Sequence, residues 1–326
     1  MTAPFTLSDL ESAAAIVGET MAPTPALAWP LLRERAGIEV WVKHENHTPT
    51  GAFKVRGGLV YARRLKEQGY RGGLITATRG NHGQSVPFAA SRIGVPVTVV
   101  VPEGNSAGKN RAMQAWGAEL VVHGKDFDEA REEAGRLAAT RGLRFTPSFH
   151  PDLVCGVATC ALELFRAVKD LHTVYVPIGM GSGVCALIGV RDLFGLPTRI
   201  VGVVSAHAPA YALSVAQGRV VKTSEARTFA DGMACRVPDP QALDIIRAGV
   251  ERILLVTDDE VANAMRVYFE DTRNVAEGAG AAALAALLQD RDNGLLEGER
   301  AGVILTGGNV DSGIFAEVLS GSTPRV

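Results

Sequence analysis

The stretch HTPTGAFKVRGG, residues 47–58, places a single lysine, Lys54, between Phe53 and Val55, with Gly51, Gly57 and Gly58 close by. A lysine on a turn-rich segment is ordinarily a solvated surface group. A lysine held in an apolar cleft behaves differently: desolvation lowers its pKa, and the neutral amine is a nucleophile able to form a Schiff base. Three further turns carry groups that suit such a lysine. GMGSG, from Gly179 through Met180, Gly181 and Ser182 to Gly183, follows an apolar run and precedes a helical one. Successive amides at a helix start cradle an anion, and glycines permit close approach. TRGNHGQS, 78–85, running from Thr78 through Arg79, Gly80, Asn81 and His82, offers its exposed backbone amides and the Asn81 side chain to a carboxylate or a phenolic oxygen. LTGGN, 305–309, sets the hydroxyl of Thr306 at a strand end.

Taken singly, each turn reads equally well as plain connection. The GMGSG segment matches neither GxGxxG nor GxxxxGK[ST], so neither a dinucleotide nor a nucleoside triphosphate is indicated. Together, a Schiff-base lysine, a phosphate cradle, an amide-rich loop and a neutral hydroxyl are what a phosphorylated aldehyde cofactor requires.

The elements that must position these groups alternate in type. GLITAT (73–78), VPVTVVVP (95–102) and AELVVHG (118–124) are apolar runs, each followed by a helical segment. The pattern resumes with TVYVPIG (173–179), TRIVGVVS (198–205) and AGVILTGGN (301–309). Such alternation predicts βαβ units around a parallel sheet covered on both faces, hence an α/β fold. Ligands bind at the carboxyl ends of such strands, where these turns fall. TDDE, 257–260, reads as a capping box opening a helix, and EGAGAAALAALLQD, 277–290, as an alanine-rich helix.

Composition excludes several classes. The 326 residues are 47% hydrophobic and 21% charged, with a formal net charge of −2, so there is no electrostatic footprint for nucleic acid or an anionic membrane. No apolar run reaches the ~20 residues of a membrane helix, and the N-terminus lacks a secretory pattern. Cys155, Cys160, Cys185 and Cys235 form no CxxC pair, and Cys155 and Cys160, in an apolar stretch, are expected to be reduced and buried, as in the cytoplasm. His44 and His47 have an HxxH spacing without further ligands nearby, so no metal role is expected of them. The final turn falls about twenty residues before the end of the sequence, so no appended regulatory domain is expected.

The four motifs resemble, in order and spacing, those of the fold-type II pyridoxal-phosphate enzymes, specifically the threonine/serine dehydratase (ammonia-lyase) and serine racemase group. GAFKVRGG resembles the cofactor-lysine motif, GNHGQS the asparagine loop, VPIGMGSG the phosphate loop and LTGGNVD the C-terminal motif. The resemblance implies two α/β domains with mostly parallel sheets: a large one from 1–72 and 149–326, and a small mobile one from 73–148. It implies that Lys54 carries pyridoxal 5'-phosphate and then removes the substrate Cα proton. Phe53 would pack on the cofactor ring, Asn81 donate to its phenolic oxygen and Thr306 face its nitrogen. Amides of 179–183 would hold the phosphate, Glu277 stand near the ring, and the 78–82 loop bind the substrate carboxylate. A homodimer acting on a small amino acid, with no nucleic-acid or membrane partner, is the expected assembly.

A hydroxyl at 306 does not force the ring nitrogen to stay protonated, which suits expulsion of a Cβ leaving group over transamination. Racemases of the group carry a serine where Arg79 stands; arginine stays protonated and cannot act as that second base. Arg79 is expected to support its loop or to pair with an acidic substrate side chain. Many relatives bind a divalent cation after the strand matching IVGVVS, where this chain has Val204, Ala208 and Ala210, which supply no oxygen ligand, so that site is expected to be absent. The reading is a dehydratase converting a serine- or threonine-like β-hydroxy amino acid to a 2-oxo acid and ammonia. A β-replacement transferase resembling cysteine synthase, or a silent cofactor-binding sensor, are the alternatives.

Overall fold

The structure is a computed structural model, and it describes residues 4–325. In chain order the first elements are α1 (Leu7–Gly18), β1 (Ala26–Ala28), α2 (Pro30–Ala36), β2 (Glu39–His44) and α3 (Lys54–Glu67). There follow β3 (Leu74–Ala77), α4 (Asn81–Ser91), β4 (Val97–Val101), α5 (Ala107–Ala115), β5 (Ala118–Val122), α6 (Phe127–Arg141) and β6 (Arg144–Phe145). The next are α7 (Pro151–Ala167), β7 (Thr173–Pro177), α8 (Ser182–Leu193), β8 (Arg199–Ser205), α9 (Ala210–Gln217) and α10 (Pro240–Gly249). The last are β9 (Arg252–Val256), α11 (Asp258–Thr272), α12 (Gly278–Asp292), β10 (Arg300–Leu305) and α13 (Ser312–Leu319).

Two sheets result. One has six strands in the order β1-β2-β10-β7-β8-β9, and the other four in the order β5-β4-β3-β6. Every pairing is parallel except β1 with β2. The four-stranded sheet is built wholly from Leu74–Ala77 to Arg144–Phe145, between two stretches that supply the larger sheet.

Strand alternation sorts the larger sheet's side chains onto two cores. Val174, Val176 and Ile304 pack with α1, α3, α7 and α8, whereas Tyr175, Val303 and Leu305 pack with α2, α11 and α12. Almost all of α12 is buried, as its alanine-rich composition allows. The capping box at its neighbour is formed: Thr257 Oγ1 accepts from Glu260 N at 3.2 Å, and Thr257 N donates to Glu260 Oε2 at 2.6 Å.

Helix α3 lies between α4 and α7, and the glycines after Lys54 explain how closely. A Cβ on Gly57 would stand 2.7 Å from the Leu153 carbonyl oxygen of α7, and one on Gly58 would stand 2.3 Å from Ser85 Oγ of α4. The pair lets α3 touch backbone on both sides, which fixes the lysine that begins it.

All four cysteines are unpaired and buried. Among the described residues, no helix is long and apolar enough to cross a membrane, and no group of three or more His, Cys, Asp and Glu could hold a metal ion. The imidazole of His44 accepts from Trp29 Nε1 at 3.0 Å, and His47 Nε2 lies 2.8 Å from Asn274 Oδ1, so both rings serve the fold. Val204, Ala208 and Ala210 are buried around the end of β8.

Candidate active site

The carboxyl ends of β3, β7 and β10 and the start of α3 converge on a cavity of about 640 Å³. Lys54 is the first residue of α3, and its Nζ donates to Ser182 Oγ at 2.8 Å. Burial pushes its amine down to about 8, so about a tenth is unprotonated at pH 7, far more than for a solvated lysine. The ring of Phe53 lies beside it, 5.0 Å from Nζ to centroid. This segment is held by backbone: Phe53 N donates to the Thr306 carbonyl at 2.9 Å, and Gly308 N to that of Gly51 at 2.9 Å. Two stretches some 250 residues apart are thereby zipped together where the lysine begins its helix.

Opposite Lys54, Gly181 caps α8 at φ +97°, a left-handed conformation that favours glycine. The first intrahelical bond of α8 runs from Cys185 N to Gly181 O, leaving the amides of Ser182, Gly183 and Val184 without helical acceptors. Tyr211 secures the loop from behind, its hydroxyl donating to the Met180 carbonyl at 3.1 Å.

The 78–82 loop opens α4. Thr78 Oγ1 accepts from Gly80 N at 2.9 Å, so that amide is already engaged, while those of Asn81, His82 and Gly83 stand in the first turn of the helix. Asn81 Nδ2 donates to Glu277 Oε1 at 2.5 Å, and its Oδ1 accepts from Asn309 Nδ2 at 2.8 Å. An amide carries two hydrogens on nitrogen, so one remains for a group in the cavity. His82 is buried, and its Nε2 has no partner. Burial and the nearby Lys54 charge push its imidazole down to about 3, so it is neutral.

Arg79 lines the cavity without any hydrogen bond to its own loop, and its Nε is buried without a partner. The loop-supporting bond expected from the sequence is not made. Thr306 is buried on the cavity wall. Glu277 holds the N-cap position of α12 but does not cap it; its carboxylate turns instead to Asn81. Burial pushes that carboxyl up to about 7, opposed by Lys109 and reinforced by Asp231.

Sequence reasoning missed Lys109, Asp231 and Asn309. Lys109 Nζ lies 2.5 Å from Asp231 Oδ2 and 3.6 Å from Glu277 Oε2. Lys109 and Asp231 lie outside the glycine turns, and only their meeting in space marks them. Asn309 ends the LTGGN motif, and its position there was its one signal.

The model of the pyridoxal-phosphate dependent enzyme family matches residues 17–307. The chain belongs to this family. It is 39% identical over 280 residues to an L-threonine ammonia-lyase of Geobacter sulfurreducens, covering 85% of this chain and 69% of that protein. It is 31% identical over 318 residues to an L-threo-3-hydroxyaspartate ammonia-lyase of Saccharomyces cerevisiae, covering 97% of each. Among solved structures, the processed form of threonine deaminase isoform 2 from Solanum lycopersicum aligns with a TM-score of 0.88 at 27% identity, over 98% of this chain and 95% of that one. The fold is therefore that of the fold-type II members of the family, and the family's cofactor is pyridoxal 5'-phosphate.

The residues present fit that cofactor. The cavity sets a primary amine with a lowered pKa across from a helix start whose amides lack acceptors. An aldehyde matches the first, and a phosphate the second.

Proposed function

We propose that the protein is a dehydratase, or ammonia-lyase, that converts a β-hydroxy amino acid to a 2-oxo acid and ammonia. One observation carries the reading: Lys54 brings to the cavity wall an amine whose pKa burial lowers to about 8, fixed by its hydrogen bond to Ser182 Oγ, whereas Glu277 is engaged with Asn81. His82 is a poor base at about 3, and Arg79 stays protonated. A single base suits elimination rather than two-base racemisation.

In this reading, Lys54 anchors the cofactor, the amides of 179–183 hold its phosphate, and Phe53, Asn81, Glu277 and Thr306 surround its ring. When bound, pyridoxal phosphate supplies an imine link to the substrate nitrogen and a sink for the electrons left at Cα. Lys54 Nζ takes the Cα proton, with Ser182 Oγ fixing the amine's direction through their hydrogen bond. The Cβ–O bond breaks as electrons from Cα form the Cα–Cβ double bond, and the hydroxyl departs with a proton as water. Hydrolysis of the released enamine, through its imine, returns one water and yields the 2-oxo acid and ammonia. The amides opening α4 orient the substrate carboxylate, and the unpaired guanidinium of Arg79 faces the substrate side chain.

We assign the unit spanning 73–148 as the small domain that closes over the substrate and excludes water. Ion pairs across the cavity mouth support this: Arg236 Nε donates to Asp128 Oδ2 at 2.8 Å, joining the 224–237 segment to α6. We further assign a homodimer, supported by the exposed Leu27 and Leu31, and a cytoplasmic setting, supported by four unpaired thiols. Size-exclusion chromatography with light scattering tests the dimer.

The test of function is release of 2-oxo acid and ammonia from serine, threonine, 3-hydroxyaspartate and phenylserine, each in all configurations, with and without chelator. Turnover of one of them, indifferent to chelator, is expected. Silence across the panel in protein yellow with cofactor would sink the dehydratase reading.

A further inference from the structure

Lys109 enters the cavity from α5, in the four-stranded unit, and is only 8% exposed. It meets two carboxylates from the rest of the chain: Asp231 at 2.5 Å and Glu277 at 3.6 Å. Glu277 is 2% exposed, and its Oε2 accepts no hydrogen bond. One cation is thus shared unequally between two acids. Asp311 also adds a negative charge near the lysine and accepts from Ser106 Oγ at 2.8 Å.

The other oxygen of Glu277 holds Asn81. The two ends of an amide differ only in what they offer, so neighbours decide which way it points. Asn309 Nδ2 donates to the Thr50 carbonyl at 2.8 Å and to Asn81 Oδ1 at 2.8 Å, which fixes it as a donor. An ionised Glu277 is purely an acceptor. Between the two, Asn81 has one orientation, with Oδ1 to Asn309 and Nδ2 to Glu277, and its second N–H is left for the cavity. A protonated Glu277 offers a donor of its own and removes the charge from the bond that holds Asn81.

We propose that Lys109 is a positioning residue that keeps Glu277 ionised, and so fixes Asn81 as a hydrogen-bond donor toward the cavity, with Asp231 competing for the same ammonium. The proposal rests on the reading of the cavity as the cofactor site. Its electrostatics agree with the geometry: burial raises the Glu277 carboxyl and Lys109 opposes that rise, so the balance falls within reach of ordinary pH. Burial works against the Lys109 ammonium, yet Asp231 and Glu277 raise it overall, so it stays a cation.

The test is a pH titration of the visible absorbance of the cofactor-loaded protein, from about pH 5 to about pH 9, for the parent and four variants. The parent is expected to show a spectral transition that Glu277→Gln abolishes. Lys109→Met is expected to move its midpoint to higher pH by about one unit or more, and Asp231→Asn to lower pH, because the freed ammonium then serves Glu277 alone. Lys109→Arg, which keeps the cation, is expected to restore the parent midpoint. Were Lys109→Met not to fold, the opposite-signed shift in Asp231→Asn and the loss in Glu277→Gln carry the test. A parent without a transition, a transition surviving in Glu277→Gln, or shifts of like sign in Lys109→Met and Asp231→Asn would overturn the proposal. The spectrum needs no substrate, so failure of the substrate panel leaves this readout intact, whereas colourless protein would sink the cofactor reading itself.

Discussion

Beneath α3, Arg56, Glu45, Glu163 and Lys43 form a buried cluster in which nearly every polar atom is spent. Arg56 donates to Glu45 Oε2 at 2.7 Å, Glu163 Oε1 at 2.7 Å and Thr159 Oγ1 at 2.9 Å. Glu45 Oε1 also accepts from Thr24 Oγ1 at 2.5 Å, and Lys43 Nζ donates to the Thr24 carbonyl at 2.7 Å. Two cations face two carboxylates. Across the cavity, Lys109, Asp231 and Glu277 set one cation against two carboxylates and leave an oxygen without a partner.

The carboxyl groups respond in opposite directions. Burial alone raises Glu45, but Arg56 and Lys43 overcome it and hold the carboxyl below its ordinary value. Glu277 goes up to about 7. A satisfied cluster rigidifies; an under-satisfied one responds to pH and to what enters the cavity. The first is scaffold for the helix that begins with Lys54, and the second belongs to the cavity.

Four substitutions sharpen or break that contrast. The largest effect falls on the lysine both clusters serve: Lys54→Ala should lower turnover by about 10⁴-fold, since anchor and base go together. Ammonia release reads it. In the parent apoprotein, recapture of the cofactor should speed up as pH rises through about 8, where the amine loses its proton, and then level off. Stopped-flow absorbance follows that rise.

Next, Arg56→Met leaves buried Glu45 without its close cation, Lys43 being 3.9 Å away and paired with Glu163, and should cost about 3–5 kcal/mol of stability, seen in denaturant melts. A loss below about 1 kcal/mol would refute the scaffold role. Glu277→Gln should separate activity from stability: turnover falls by about 10- to 100-fold. A carboxyl raised on folding contributes stability at low pH and loses it as pH rises from 4.5 toward about 7. The glutamine variant lacks that loss, so above neutrality it should melt no lower than the parent. A marked drop in its melting temperature at high pH would show that Glu277 is scaffold too. Smallest, Thr257→Ala removes a cap remote from both clusters; about 1 kcal/mol should go, with turnover unchanged.

What the sequence disclosed follows from locality. A glycine turn after an apolar run is written in consecutive residues, so the 78–85, 179–183 and 305–309 segments were legible with their order. The capping box at Thr257 was legible too. The strand just before it, Arg252–Val256, carries little signal, because most of its side chains are only half-buried and its pattern is weak. In β2, Lys43 and His44 are fully buried where the pattern promises polar exposure, so that strand was masked. The Lys109–Asp231 pair spans 122 residues, and no local pattern announces a contact formed only when two sheets face one cavity. Arg79 stands out in the sequence as an oddity, but its freedom from its own loop is a property of the folded cavity.

The backbone bond from Phe53 reaches the carbonyl of Thr306, not its hydroxyl. Every amino acid carries that carbonyl, so the side chain at 306 is exchangeable without shifting the start of α3. The placement of the amine and the choice of group at the neighbouring strand end are two independent settings. A lineage of such proteins is thus free to retune one reaction step by a single codon while inheriting the other unchanged.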